Sequence, residues 1–148
     1  MISLSSIQKI CKRNSNLKVS EKGLILLKKF AEKQIIAITK ETVKLAKLAK
    51  RKTIIENDIK FYQELANISI NKADKPLLHE HSIRLLIKKA ISNKLRIGKN
   101  VSSLIGIIIE NRIMNIVKLA SKLTKHANRK IIKEKDIQFA MKSLFKSN

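Results

Sequence analysis

One eleven-residue stretch occurs twice in this chain, and that recurrence restricts the fold more than any other feature. Residues 51–61 read Arg-Lys-Thr-Ile-Ile-Glu-Asn-Asp-Ile-Lys-Phe, and residues 129–139 read Arg-Lys-Ile-Ile-Lys-Glu-Lys-Asp-Ile-Gln-Phe. At an offset of 78, seven of the eleven positions are identical: Arg51/Arg129, Lys52/Lys130, Ile54/Ile132, Glu56/Glu134, Asp58/Asp136, Ile59/Ile137 and Phe61/Phe139. An internal period governs architecture before any single element is assigned. Two copies are too few for a solenoid, so they form two equivalent units that face each other.

The 148 residues could make one domain or two small ones. Hydrophobic residues are 44% of the chain but aromatics only 3%, so the core must be aliphatic. With 3 Gly and 1 Pro there are few places to turn, which predicts long helices rather than a many-stranded sheet. Cys11 is the one cysteine; it excludes an intrachain disulfide and reads as a small core residue of the first helix.

Taken in order, residues 3–13 predict a short helix with Leu4, Ile7, Ile10 and Cys11 on one face. Asn14-Ser15-Asn16 is a turn cluster and Leu17-Lys18-Val19 an extended link. Ser20 is placed as an N-cap, with Glu21 suited to the helix dipole. A helix to about residue 49 follows, with the stripe Leu24, Leu27, Ala31, Ile35, Ile38, Thr42, Leu45 and Ala49. At that length it must pack along most of its surface. Lys50–Ile54 is a loop, and Ile55–Ala66 a third helix with Ile59, Tyr62 and Leu65 or Ala66 inward. The proline-containing stretch before residue 81 reads as a linker, giving units at 1–68 and 81–148 joined by 69–80.

The second unit repeats this order. Residues 81–91 form a short helix with Ile83, Leu86 and Ile87 inward, and Ser92-Asn93-Lys94 turns into Leu95-Arg96-Ile97-Gly98. A long helix over about 100–127 carries Ile105, Ile109, Ile113, Ile116, Ala120, Leu123 and Ala127, which match the first stripe at offset 78. A loop at 128–132 and a helix over about 134–145 complete it. The first helices align better at an offset of 76 (Ile7/Ile83, Ile10/Leu86), so the second unit has two extra residues in its first turn.

The net charge is +22: residues 1–70 carry 15 basic and 6 acidic side chains, residues 71–148 carry 18 and 5. Both units are basic, which implies a polyanionic partner, nucleic acid first and an anionic membrane surface second. No nucleophile–base set, phosphate loop or metal cluster is present, so an enzyme is not expected, nor a cofactor. His79 and His81 flank Glu80 without further ligands nearby, and no metal is assigned to them. The start of the chain has no signal segment, and its longest apolar run, 104–109, is too short to span a bilayer. An intracellular protein held with a nucleic-acid partner is the expectation, in a nucleoid or cytoplasm, or in a nucleus or virion if the source is viral.

A short–long–short helix triplet with Arg51-Lys52-Thr53-Ile54 and Asp58-Ile59 resembles the histone fold, and the first unit is most similar to archaeal histones. Lys18-Val19-Ser20 fits that family's first loop and Lys44-Leu45-Ala46-Lys47 the end of its long helix. The whole chain thus resembles a histone doublet, all-α, with two histone folds joined end to end. The physics agrees: a lone unit cannot cover the stripe of its long helix, and a fused second copy supplies the partner at high effective concentration. The resemblance implies an intramolecular handshake in which each unit's first loop lies beside the other's second loop.

In that arrangement Lys18 lies near Arg129-Lys130 and Arg96 near Arg51-Lys52, with Lys9, Lys12, Arg84, Lys88 and Lys89 of the first helices between. The result is a cationic arc facing phosphates. The resemblance adds that Lys18 and Arg96 reach the minor groove, and that Thr53 contacts phosphate, although Ile131 replaces it in the second copy. Arg51 and Arg129 precede Asp58 and Asp136 by seven residues, and the family uses each pair to tie loop to helix. Lysines such as Lys28, Lys33, Lys40 and Lys118 read as solvated faces.

The resemblance also implies self-association through four-helix bundles built from Leu123, His126 and Asp136 at one end, and Leu45, Leu48 and Asp58 at the other. The expected function is an architectural chromatin or nucleoid protein that binds, bends or wraps duplex DNA with little sequence preference. The alternative is a histone-fold regulator subunit in a heteromeric complex; the acidic or Gln-rich segments usual there are missing. No aromatic platform for single strands is present.

Overall fold

The computed structural model describes residues 1–70 and 76–145. The elements follow the repeat: α1 (Leu4–Asn14), β1 (Lys18–Val19), α2 (Glu21–Leu48), β2 (Thr53–Ile54), α3 (Glu56–Leu65), then α4 (Glu80–Ala90), β3 (Arg96–Ile97), α5 (Val101–His126), β4 (Ile131–Ile132) and α6 (Glu134–Leu144). Residues 71–75 of the expected linker lie outside the described residues.

Local chemistry sets the helix starts. Ser20 accepts from the Gly23 amide at 3.1 Å, and Ser3 caps α1 by accepting from Ser6 at 3.1 Å. α3 and α6 lack a side-chain cap at the preceding residue. Instead Asp58 and Asp136, three residues into the helix, reach back to the amides of Ile55 and Lys133, each at 2.9 Å. α2 and α5 both end where the chain takes a left-handed residue, Lys50 (φ 57°) and Asn128 (φ 58°).

The two long helices pack on each other, and each of α1, α4, α3 and α6 packs on both of them. One core results, aliphatic apart from Phe30 and Cys11 and shared by the two units, with Ile35 and Ile113 at equivalent positions fully buried. At the crossing, Arg112 donates to its counterpart Gln34 and, at 3.2 Å, to the Tyr62 hydroxyl. The loops cross as well. β1 pairs in parallel with β4 (Lys18↔Ile131), and β2 with β3 (Thr53↔Arg96), so each two-residue sheet joins one unit to the other. The spans expected as plain loops therefore contain these strands.

Four inward assignments change. Leu4 is 36% exposed; Ile2, folded back before the helix, takes that end of the core at 2%. Leu65 is 67% exposed and Ala66 is exposed too, because only the first turns of α3 reach the core and the chain turns off at Asn67. Ala49 and Ala127 are exposed because each is the C-cap, past the last packed turn.

Candidate nucleic-acid interface

Each loop pair is organised by a strapped arginine. Arg51 donates to both carboxylate oxygens of Asp58, at 2.9 and 2.7 Å, and to the Thr53 carbonyl at 3.0 Å. Arg129 grips Asp136 in the same fork, both contacts at 2.7 Å. Asp136 has one more donor, the Thr124 hydroxyl at 2.9 Å, where the first unit has Ala46. The Arg129 fork, opposed by burial and helped by the Lys133 amide and Thr124, holds Asp136 far below the usual carboxylate range. For Asp58 burial raises the carboxyl, but Arg51 and the Ile55 amide outweigh it and the net shift is downward.

These straps leave other cations exposed. At one end Lys18 and Lys130 flank the β1–β4 pair; at the other, Lys52 and Arg96 flank β2–β3, where the Arg96 amide donates to the Lys52 carbonyl at 2.8 Å. Thr53 is half-buried on β2, and its counterpart Ile131 is 46% exposed. Lys9 and Lys12 on α1, and Arg84, Lys88 and Lys89 on α4, are all exposed. The structure thus brings the loop cations together in two sets, each drawn from both units.

The β2–β3 pair depends on a close approach at Gly98. Its amide donates to the Ile54 carbonyl at 2.8 Å, and a Cβ there would lie 2.6 Å from that same oxygen. Sequence reasoning passed over this glycine. It also missed Glu32 and Glu110, identical at offset 78. Glu32 accepts from the Met1 ammonium at 2.9 Å and the Ile2 amide at 3.0 Å. Glu110 accepts from the amides of Leu77 and Leu78, the latter at 3.2 Å. Each long helix therefore ties down the segment entering a first helix, and the buried pair Ile2/Leu78 extends the 76-residue offset. The signal available was the identity itself.

Of the end residues, Leu45 and Leu123 are half-buried, Leu48 is 81% exposed and His126 is exposed. The exposed apolar groups Phe61 and Phe139 occupy equivalent positions on α3 and α6. Cys11 is buried, and burial pushes its thiol up to about 12, which makes it a core residue and not a nucleophile. Among the described residues no group of three or more His, Cys, Asp or Glu could hold a metal, and no helix is long and apolar enough to cross a membrane.

Two interlocked short–long–short triplets with reciprocal loop pairing define a histone-fold doublet. The chain matches the core histone domain twice, over residues 5–65 and 77–143, and it belongs to the core histone family. The crystal structure of the histone from Methanopyrus kandleri superposes with a TM-score of 0.82 at 14% identity, over 97% of this chain and 95% of that one. A crystal structure of a Thermus thermophilus protein superposes with a TM-score of 0.68 at 13% identity, over 97% and 96%. No curated protein matches by sequence. The family is non-enzymatic.

Proposed function

We propose that the chain is an architectural protein that binds, bends or wraps double-stranded DNA through its phosphates. The carrying observation is the reciprocal loop pairing, which presents Lys18 with Lys130 at one end and Lys52 with Arg96 at the other. Lys9, Lys12, Arg84, Lys88 and Lys89 add charge from the first helices, and Arg51, Arg129 and Thr53 order the loops as well as facing phosphate. Lys18 and Arg96 are the residues assigned to the minor groove. Contacts of this kind require no base readout, and their affinity falls with salt by about 0.9 log units per log unit for each neutralised phosphate.

Nuclease digestion of a reconstituted DNA complex tests the reading. A protected ladder supports wrapping, and uniform digestion favours a regulator subunit or a loose coating. Replacing Lys18 and Arg96 together with Ala should weaken binding to all sequences alike. A strong preference for one short site would favour a regulator subunit.

Assembly along DNA is proposed to use the molecule's ends, where Leu45, Leu48 and Phe61 lie in one unit and Leu123, His126 and Phe139 in the other. Leu48 against His126 makes the ends chemically unequal, and His126 can meet Asp136 of a second molecule where Leu48 offers no such partner. Second-unit ends should therefore join first. Sedimentation of DNA complexes carrying His126→Asp, compared with Leu48→Asp, tests this; equal effects refute it.

A further inference from the structure

The internal repeat allows the two long helices to be compared position by position. At offset 78, five positions are exposed on both α2 and α5. Two of them differ between the copies, Ala37/Asn115 and Leu48/His126. The other three are lysine in both: Lys40/Lys118, Lys44/Lys122 and Lys47/Lys125. No core packing explains this retention, since all six side chains are exposed. Loop strapping does not explain it either, because none of the six bonds to a loop carboxylate among the described residues.

The spacing i, i+4, i+7 gathers each triplet into a sector of about 60°, on the side of its helix roughly opposite the buried stripe. Each triplet places three cations along about 10.5 Å of helix axis, with gaps of about 6 and 4.5 Å. A single DNA strand projects one charge per about 3.4 Å, so each stripe runs beside roughly three phosphate intervals and each lysine has a phosphate within reach. The stripes contain no exposed aromatic and no arginine fork, and lysine is depleted at protein interfaces, so an evenly charged polyanion fits them better than a protein. The copies differ in one respect. Lys44 is held by Glu41 at 3.1 Å, whereas Leu119 stands at the equivalent place on α5, leaving Lys122 without an ion pair among the described residues.

We infer that the two lysine stripes form a second duplex-binding surface, so that one molecule holds a second DNA segment besides the one on its loops. This rests on the loops binding duplex DNA, and it adds a bridging activity that the loop arc alone does not supply. The α5 stripe, free of Glu41's counterpart, is the stronger of the two.

The experiment uses the full chain and two duplexes, one immobilised on beads and one labelled in solution. Two sixfold variants are compared, each lowering the net charge from +22 to +16. The first replaces Lys40, Lys44, Lys47, Lys118, Lys122 and Lys125 with Gln. The second replaces the exposed Lys22, Lys29, Lys33, Lys60, Lys135 and Lys142 with Gln. In the stripe variant, capture of the labelled duplex should fall by about tenfold or more while binding to a single duplex changes by less than about threefold. The charge-matched variant should keep capture, and restoring only the α5 lysines should recover more of it than restoring only those of α2.

Equal loss in both variants would assign the effect to net charge and overturn the inference. Undiminished capture in the stripe variant would mean that bridging runs through end-to-end assembly, and would overturn it too. So would stripe-dependent binding of polyglutamate with no effect on duplex capture. Failure of the unaltered chain to bind a single duplex would instead overturn the function proposed for the loops.

Discussion

Because one core serves both units, damage to either should be felt by both at once. Ile137 on α6 is fully buried, and its Cδ1 lies 3.4 Å from where a Cβ at Gly23 would sit, against the long helix of the other unit. Ile137→Ala removes the outer part of that side chain and leaves a cavity, at a cost of about 2–5 kcal/mol. For a chain of this size each kcal/mol lowers the Tm by about 2–4 °C, so a mid-range loss of ~3 kcal/mol predicts a fall of roughly 6–12 °C. The readout can be confined to the undamaged unit. Tyr62 is the only tyrosine and there is no tryptophan, so intrinsic fluorescence reports α3 of the first unit, whereas far-UV circular dichroism reports every helix. Both signals should move together to the lower temperature in a single transition. If Tyr62 keeps its original transition while dichroism loses about half its amplitude early, the units are independent and the shared core is refuted.

Three further outcomes are expected. Asp58 and Asp136 both have folded carboxyls held below the unfolded value, so the stability they contribute is complete above the ordinary aspartate range near pH 4 and is lost as pH falls through the lowered values; a Tm that does not change between pH 5 and pH 2 would contradict this, and Asp136→Asn should remove more of the dependence than Asp58→Asn. Gly98→Ala drives a Cβ into the Ile54 carbonyl, and should destabilise by about 1–3 kcal/mol in denaturant titrations, with faster hydrogen exchange at the Arg96 and Gly98 amides; unchanged exchange would show that the loop pair does not need the close approach. Lys50 is a non-glycine residue in left-handed backbone, so Lys50→Gly should raise stability by up to about 1 kcal/mol, while Asn128→Gly should change little.

The helices were legible because their causes are local. Aliphatic residues in steps of three and four set the stripes, Ser20 lies one residue before its helix, and Asp58 and Asp136 lie three residues inside theirs. The resemblance to histones then supplied the handshake, which periodicity alone leaves open. What escaped was non-local. Glu32 reaches Met1 and Ile2 across some thirty residues, and nothing in its own neighbourhood distinguishes it from a solvated glutamate. Gly98 matters only because Ile54 arrives from the other unit. Leu4 and Leu65 fit the helical period but lie where a helix runs past the core, and the period contains no term for where packing stops.

In a homodimer, one codon change alters both halves, and the twofold axis is enforced by genetics. Here the copies share a chain, and each position can drift alone. Leu48 differs from its counterpart His126, Lys50 from Asn128, and Ala46 from Thr124 with its added bond to Asp136. The molecule therefore has a front and a back. On the duplex proposed for it, the molecule could point one way or the other; joined second unit to second unit, neighbours would face in opposite directions, and a row would alternate two kinds of junction where a row of symmetric dimers has one.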